Sequence, residues 1–190
     1  MYRPEYCAGI DEVGRGPLAG PVYAAAVVLD PLIDIVGLKD SKVLTVKKRE
    51  ELNTIICAEA VDYAIGRADV EEIDSINILQ ASLSAMQRAA SNLCVPLDFA
   101  LVDGNTAPRL SCPSDYLVKG DSKFDAIKAA SIIAKVARDK EMLELDSIYP
   151  GYGFAKHKGY PTPAHLEALK TLGPSPIHRM SFSPCKQMLD

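Results

Sequence analysis

The stretch AGIDEVGRGPLAGPV, residues 8–22, joins two short apolar segments through a turn rich in glycine and proline. Cys7–Ile10 on one side and Val22–Leu29 on the other have the length and composition of buried β-strands. Two acidic residues, Asp11 and Glu12, follow the first segment directly. We therefore expect a sheet in which one strand ends at a pair of carboxylates.

The rest of the chain alternates strand and helix patterns, which predicts an α/β fold with a mixed sheet. Further strands are expected at Val61–Ala68 and Phe99–Val102. Helices are expected at 47–60 after a cap at Thr45, at 76–93, from a cap at Asp121 or Ser122 to about Leu145, and at Pro163–Leu172. Residues 150–163 are rich in glycine and proline, so we expect a loop there.

Apolar residues that recur every three or four positions predict the buried face of each helix. These residues are Leu52, Ile55 and Ile56 in the first helix, Ile76, Leu79, Leu83, Met86, Ala90 and Leu93 in the second, and Ile127, Ala130, Ala134 and Ala137 in the third.

With 190 residues, 48% of them hydrophobic and 24% charged, the chain has the composition of one globular domain spanning 1–190. The longest apolar run, Val22–Leu29, is too short to span a membrane, and the start lacks the pattern of a signal peptide. The five cysteines never form a CxxC pair, which favours reduced, buried thiols and a cytoplasmic protein over a zinc finger.

The net charge of −4 argues at first against a nucleic-acid partner. The charges are, however, unevenly distributed: residues 53–118 hold 3 basic and 9 acidic side chains, whereas residues 119–190 hold 11 basic and 8 acidic ones. A polyanion could dock on the C-terminal third, with help from Lys47–Arg49. Charge alone favours an enzyme surface of mixed charge.

Four acidic residues are expected at the ends of strands or helices beside glycine: Asp11, Glu12, Asp103 and Asp121. Carboxylates clustered in a cleft repel each other unless a cation neutralises them, and hard oxygen ligands suit Mg²⁺ or Mn²⁺. The pattern predicts attack of water on a phosphodiester with the help of two metal ions. Taken singly, Asp103-Gly104 is a common turn, Asp121 could cap a helix, and Asp11-Glu12 could be a solvated strand end.

Three loop segments are candidates for contacting a phosphate or a sugar. In Gly14-Arg15-Gly16 the backbone can approach a ligand closely, and the arginine adds charged hydrogen bonds. Ser41 and Lys42 precede a helix and could bind a phosphate. Tyr160 offers a flat ring, although a single loop tyrosine more often serves packing.

These segments resemble bacterial ribonuclease HII. The resemblance runs in order through AGIDEVGRGPLAGPV, LKDSKVLTVKKREEL, LVDGN, KGDSKFDAIKAASIIAKVARD and HKGYPTPAH, which together span almost the whole chain. It implies a ribonuclease H-like fold: a five-stranded mixed sheet flanked by helices, with a helical C-terminal part at about 150–190 that helps to grip the substrate. It also implies cleavage of two substrates: RNA–DNA hybrids, and duplex DNA on the 5′ side of an embedded ribonucleotide. The implied role is the removal of misincorporated ribonucleotides from DNA.

By this resemblance, Asp11, Glu12, Asp103 and Asp121 are the metal-binding and catalytic carboxylates. The segment Gly14-Arg15-Gly16 corresponds to the family's reader of the 2′-hydroxyl, which distinguishes RNA from DNA. Tyr160 corresponds to the tyrosine that packs on the sugar at the RNA–DNA junction, and Ser41 and Lys42 to phosphate contacts. Asp121 and the short N-terminal segment favour ribonuclease HII over ribonuclease HIII, which has a glutamate at the fourth acidic position.

Val43, Ser122 and Met180 depart from the family pattern, and we expect them to affect DNA affinity rather than chemistry.

Three alternatives remain open: another nuclease of the same fold, a nucleic-acid-binding module without catalysis, and a phosphatase for small phosphomonoesters. We expect a monomer. Contact with a replication clamp is left open, since neither end of the chain looks like a clamp-binding peptide.

Overall fold

Strand β1, Cys7–Val13, lies at the centre of a five-stranded sheet in a computed structural model that describes residues 6–39 and 41–188. The other strands are β2 (Val22–Val28), β3 (Asp62–Ala68), β4 (Phe99–Asp103) and β5 (Ser114–Leu117), and their order is β3-β2-β1-β4-β5. Strand β1 pairs antiparallel with β2 and parallel with β4. This arrangement confirms the predicted α/β fold with a mixed five-stranded sheet.

In the described residues, five helices accompany the sheet: α1 (Val46–Glu59), α2 (Val70–Ser91), α3 (Asp125–Ile148), α4 (Phe154–His157) and α5 (Pro163–Leu172). Single 3-10 turns lie at Gly120–Ser122 and Cys185–Met188. No helix in the described ranges combines the length and the apolarity that a bilayer crossing requires.

The sheet separates two apolar layers. Helix α2 covers one face, where Ala81, Ala85 and Ala89 pack on Ala24 and Ala26 of β2. Helices α1 and α3 cover the other face, where the buried side chains are Ala25, Val27, Ile35, Leu52, Ile56, Ala129, Ala130, Ile132, Ile133 and Ala134. Because alternate residues of β2 point to opposite faces, a run of small apolar residues serves both layers.

The C-terminal part packs on α3 and on the turn between β1 and β2. Phe154 and Tyr152 form one small core with Met142 of α3 and Ala19 of the turn. Leu18 enters a second small core with residues of the C-terminal part. The turn is therefore held between α3 and the C-terminal part.

Several predicted boundaries are wrong. Strand β1 continues past Ile10, so that Asp11 and Glu12 belong to the strand itself. Strand β5 was absent from the strand prediction, because its four residues, SDYL, lack an apolar pattern. The long helix begins at Asp125 after Phe124, so neither Asp121 nor Ser122 caps it. The expected loop 150–163 contains α4.

Helix α2 begins earlier than predicted and is interrupted. Asn77 has a non-helical backbone (φ 68°, ψ 163°), and its side chain accepts hydrogen bonds from the N–H groups of Leu79 and Gln80. The break displaces the apolar stripe, which leaves Ile76 and Leu79 exposed instead of buried.

Two further expectations about burial are wrong. Ile55 lies at the exposed edge of α1, although Leu52 and Ile56 are buried as predicted. All five cysteines are free thiols, but Cys7 and Cys94 are exposed and Cys185 alone is fully buried.

Helix α3 approaches β1 so closely that Gly9 has no room for a side chain. A Cβ atom at Gly9 would lie 2.2 Å from the carbonyl carbon of Ala126. The start of α3 therefore touches the backbone of the central strand, which holds the strand and the helix in a fixed relative position.

We expect Gly9→Ala to destabilise the protein by about 3 kcal/mol, the upper end of the usual cost of overpacking, because strand or helix backbone must move. Urea unfolding followed by circular dichroism measures this change. Gly16→Ala is the matched control, because a Cβ atom there meets Tyr160 at an ordinary 3.6 Å. Equal unfolding midpoints for the two variants would contradict the proposed close contact.

Candidate active site

Three carboxylates converge at one end of the central strands. Asp11 lies near the end of β1, Asp103 ends β4, and Asp121 lies in the 3-10 turn before α3. Because β1 and β4 are parallel neighbours, their C-terminal ends meet at the same edge of the sheet. One carboxylate oxygen from each residue lies within 4.8 Å of the other two, which is the spacing of a site that can hold a metal ion.

The positions of Asp11 and Asp103 are set by hydrogen bonds from neighbouring groups. The N–H of Gly120 donates to Oδ1 of Asp103 at 2.6 Å, and the N–H of Glu12 donates to Oδ1 of Asp11 at 2.7 Å. The side chain of Ser131, on α3, acts to lower the pKa of Asp11. These contacts fix the carboxylates before any ligand arrives.

Glu12 lies beside this group of three. Its Oε1 accepts a hydrogen bond from Nη1 of Arg15 at 3.3 Å. Its Oε2 is the one buried side-chain oxygen or nitrogen in the described part of the chain that lacks a hydrogen-bond partner. A buried carboxylate oxygen without a partner is costly unless a ligand completes it, so the site fits a bound cation.

The electrostatics of the site also favour a cation. Burial, and then the charges of Glu12 and Asp103, raise the pKa of Asp11 well above its ordinary value. Burial raises the pKa of Glu12 despite the opposing charge of Arg15, and burial raises the pKa of Asp103 as well. A divalent cation would remove this repulsion and restore the ionised forms.

Lys42 and Ser41 occupy different environments, although they are adjacent in sequence. The side chain of Lys42 is 73% exposed, and its Nζ lies 3.2 Å from Oδ2 of Asp121. Ser41 is buried, and its hydroxyl lies 2.7 Å from the hydroxyl of Ser131, a side chain that acts on the pKa of Asp11. Lys42 therefore lies at the mouth of the site beside Asp121, whereas the hydroxyl of Ser41 lies in the interior behind Ser131.

The turn at Gly14-Arg15-Gly16 lies beside Tyr160. The closest approach to the Cβ position of Gly16 is made by the Tyr160 ring, at 3.6 Å, and this side chain is partly exposed. Leu18 N–H donates to the carbonyl of Gly159 at 2.8 Å, which ties the two loops together. The predicted reader of the 2′-hydroxyl and the predicted sugar-packing ring thus form one surface, which the hydrogen bond from Arg15 to Glu12 connects to the acidic residues.

Sequence reasoning missed the polar residues that support these loops and carboxylates. Ser131 and Arg138 lie two helical turns apart on the buried face of α3, and Arg179 is fully buried as well. Polar residues within an apolar helical stripe were the available signal for the first two. Nothing in the local sequence distinguishes Arg179.

The three histidines, which match no zinc motif in sequence, meet beneath the Tyr160 loop. Nε2 of His165 lies 3.1 Å from Nε2 of His178, and Nδ1 of His165 lies 2.9 Å from the carbonyl oxygen of Tyr160. The ring of His157 stacks on that of His165. Burial lowers the pKa of His178 to about 4, so this side chain is neutral at physiological pH.

The fold and the site together define the class of protein. A mixed five-stranded sheet of this order, flanked by helices, is a ribonuclease H-like fold, and its converging carboxylates lie at the ends of two neighbouring parallel strands and in the turn before α3. Residues 8–185 match the family Ribonuclease HII, and the chain belongs to that family. It is therefore a hydrolase, a ribonuclease H of type 2, from a family that depends on divalent metal ions and acts on RNA–DNA substrates.

Solved structures agree with this assignment. The ribonuclease H2 from Pyrococcus horikoshii OT3 is 28% identical, with a TM-score of 0.80 over 96% of each chain. The ribonuclease HII of Archaeoglobus fulgidus, solved in a complex with PCNA, is 27% identical, with a TM-score of 0.74 over 94% of this chain and 95% of that one.

A third similar structure, Bst-RNase HIII in complex with Mn²⁺, is 19% identical, with a TM-score of 0.67 over 97% of this chain and 69% of that one, and it shares the fold. The first two organisms are archaea, and membership of the bacterial branch stays a prediction.

We expect Asp11→Asn to raise the melting temperature in EDTA at neutral pH. The raised pKa means that the folded state binds the Asp11 proton more tightly than the unfolded state does. Ionisation therefore costs stability as pH rises above the ordinary aspartate range, and asparagine removes this cost. Each kcal/mol gained moves the melting temperature of a chain of this size by about 2–4 °C.

Differential scanning fluorimetry from pH 4 to 8, with and without Mg²⁺, checks this expectation. The gain should shrink towards pH 4, and Mg²⁺ should stabilise the natural protein more than the variant. A lower melting temperature for Asp11→Asn at pH 7.5 in EDTA would show that the ionised carboxylate is not under electrostatic strain.

Proposed function

We propose that this protein is an endoribonuclease that cuts duplex DNA on the 5′ side of an embedded ribonucleotide, and also the RNA strand of RNA–DNA hybrids. The observation that carries the proposal is the group of three converging carboxylates, together with a turn that begins two residues after Glu12, bonds Glu12 through Arg15 and contacts Tyr160 through Gly16. The proposed role is the removal of ribonucleotides from DNA by a cytoplasmic enzyme that acts as a monomer and as one domain, in which residues 150–190 help to grip the duplex.

In the proposed reaction, two Mg²⁺ or Mn²⁺ ions would be held by Asp11, Glu12, Asp103 and Asp121. When bound, such ions lower the pKa of the attacking water and stabilise charge on the phosphodiester oxygens. Oxygen ligands and a buried oxygen of Glu12 without a partner support this assignment. Water attacks the phosphorus and the 3′ oxygen of the preceding nucleotide leaves, which produces a 3′-hydroxyl and a 5′-phosphate.

Recognition of the ribonucleotide is assigned to the loops beside the carboxylates. The backbone of Gly14, Arg15 and Gly16 contacts the 2′-hydroxyl, and the ring of Tyr160 packs on the neighbouring sugar. The exposed ammonium of Lys42 lies near Asp121 in the structure, and in the proposed complex with substrate it contacts a phosphate. Contact of Ser41 with a phosphate stays a prediction, and its buried hydroxyl favours a supporting role for that group.

The main alternative in a different class is a nucleic-acid-binding module without catalysis. Its acidic residues would be structural, and added metal would produce no cleavage. The buried, mutually repelling carboxylates favour the enzyme, because a merely structural site gains nothing from that repulsion.

The central experiment uses a labelled DNA duplex with one ribonucleotide, an all-DNA duplex, and Mg²⁺, Mn²⁺ or EDTA. We expect metal-dependent cleavage only on the 5′ side of the ribonucleotide. Binding without cleavage would support the non-catalytic module. Equal cleavage of both duplexes would be consistent with the metal site, but it would contradict the role assigned to the loops in recognising the ribonucleotide.

We expect Asp103→Asn to reduce turnover more than about 100-fold, since even residues behind metal ligands cost about 10–100-fold when changed. Asp115→Asn is the matched control, because Asp115 is an exposed aspartate on the neighbouring strand β5. Single-turnover rates in Mg²⁺ measure the effect. If the two variants cleave at similar rates, the assignment of Asp103 to the catalytic site is wrong.

We expect Tyr160→Ala to lower kcat/KM on the single-ribonucleotide duplex by about 5–150-fold, the equivalent of the usual 1–3 kcal/mol for stacking on an aromatic ring. Its melting temperature should change little, because the side chain is 38% exposed. Tyr160→Phe keeps the ring and should retain most of the activity. Unchanged cleavage by Tyr160→Ala would refute the packing role.

A further inference from the structure

Arg179 is fully buried and donates its hydrogen bonds to backbone carbonyl groups of a single loop. Its Nη2 donates to the carbonyl of Gly14 at 2.6 Å, and its Nη1 donates to that of Arg15 at 3.0 Å. Its Nε and Nη2 both donate to the carbonyl of Gly20, at 3.0 and 2.8 Å. One guanidinium therefore joins the two ends of the turn between β1 and β2.

Arg138 supports the same loop from the side of α3. It donates to the carbonyls of Pro21, Ala19 and Lys158 at 2.9, 3.1 and 3.0 Å. A Cβ atom at Gly14 would lie 2.3 Å from Nε of this arginine, so the glycine lets the guanidinium pass directly beneath the loop.

Neither guanidinium has a carboxylate within 4.0 Å in the part of the chain that the structure describes. Burial lowers the pKa of Arg179 to about 9, so it still carries its charge at neutral pH. Asp74 acts on Arg179 only from beyond that distance, and Asp139 and Glu141 act on Arg138 in the same way. Burying two like charges without a carboxylate in direct contact costs stability, whereas closing the loop with apolar residues would not. The arrangement therefore favours a functional reason for the two cations.

Peptide geometry supplies that reason. In a trans peptide the N–H of each residue points opposite to the carbonyl of the residue before it. When the carbonyls of Gly14 and Arg15 point inward to Arg179, the N–H groups of Arg15 and Gly16 must point away from the protein interior. Within the described residues, neither of these two N–H groups donates a hydrogen bond to the protein.

We propose that Arg179 is a positioning residue for ribonucleotide recognition, which turns the Arg15 and Gly16 N–H groups towards the substrate by holding the carbonyls of Gly14 and Arg15. This inference rests on the proposed function. Arg138 holds the other end of the loop and ties it to the segment before Tyr160. Discrimination between ribose and deoxyribose thus depends on a side chain that never touches the substrate.

The test compares Arg179→Lys with the natural protein for binding to two labelled duplexes that differ in one 2′-hydroxyl. Both proteins carry Asp103→Asn to prevent cleavage, and fluorescence anisotropy measures affinity. A lysine keeps the charge but cannot bridge three carbonyls in the fork geometry of a guanidinium. We expect the ratio of the two affinities to fall at least about fivefold towards 1, while affinity for the all-DNA duplex stays within about twofold.

Arg88→Lys is the matched control. Arg88 also bonds a backbone carbonyl, that of Arg67, together with the carboxylate of Glu72, but it lies on α2 and does not contact the loop. Its variant should keep the natural ratio. An unchanged ratio in Arg179→Lys, or an equal loss of affinity for both duplexes, would overturn the positioning role. Equal affinities of the starting protein for the two duplexes would overturn the proposed function itself, and this inference with it.

A second measurement needs no arginine variant and covers the case in which Arg179→Lys fails to fold. Amide hydrogen exchange of the Asp103→Asn protein reports directly on the N–H groups of Arg15 and Gly16. Both should be protected by the ribonucleotide duplex and not by the all-DNA duplex. Rapid exchange of both amides in the ribonucleotide complex would overturn the inference.

Discussion

The close contact between helix α3 and strand β1 is the constraint on which the other features of the site depend. With only hydrogen at Gly9, the start of the helix lies against the strand backbone. Ser131 lies one turn further along the helix than Ile127, and its side chain acts on the pKa of Asp11. Arg138 lies two turns beyond Ser131 and donates a hydrogen bond to the carbonyl of Pro21, in the turn between β1 and β2. One helix therefore sets the position of a carboxylate and of the neighbouring loop in a single rigid frame.

The same frame holds charges of like sign close together. Asp11, Asp103 and Asp121 are brought within reach of one cation, and burial keeps the pKa values of the first two above their ordinary range. Residues chosen for stability alone would avoid this repulsion. The apolar layers on both faces of the sheet offset it, since they contain most of the buried side chains. The packing of the sheet thus compensates for a group of carboxylates that lowers the stability of the fold but can bind a divalent cation.

The alternation of strands and helices was predictable from sequence, and so was the set of acidic residues at strand ends, because both follow from local patterns. Strand β5 was not, since its pairing with β4 depends on backbone hydrogen bonds rather than apolar side chains. The break in α2 was missed because Asn77 acts through its own side-chain hydrogen bonds. Arg179 could not be found at all, because its partners are carbonyl groups more than 150 positions earlier in the chain.

The net charge of −4 is compatible with a nucleic-acid substrate because charge acts locally. The most acidic section, residues 53–118, includes both sheet edges, β3 and β5, and also Asp103 of the site itself. Four of its nine acidic residues, Asp62, Glu71, Glu72 and Asp74, lie in β3 and α2. The loops assigned to substrate contain Arg15, Lys42 and Lys158. The buried guanidiniums of Arg179 and Arg138 bond the backbone carbonyls of Arg15 and Lys158, respectively. Screening limits the reach of exposed charges to about 8 Å in physiological salt, so a phosphate at the site responds mainly to these nearby cations. Sequence-wide charge is thus a weaker guide to the substrate than the charge of the loops around the carboxylates.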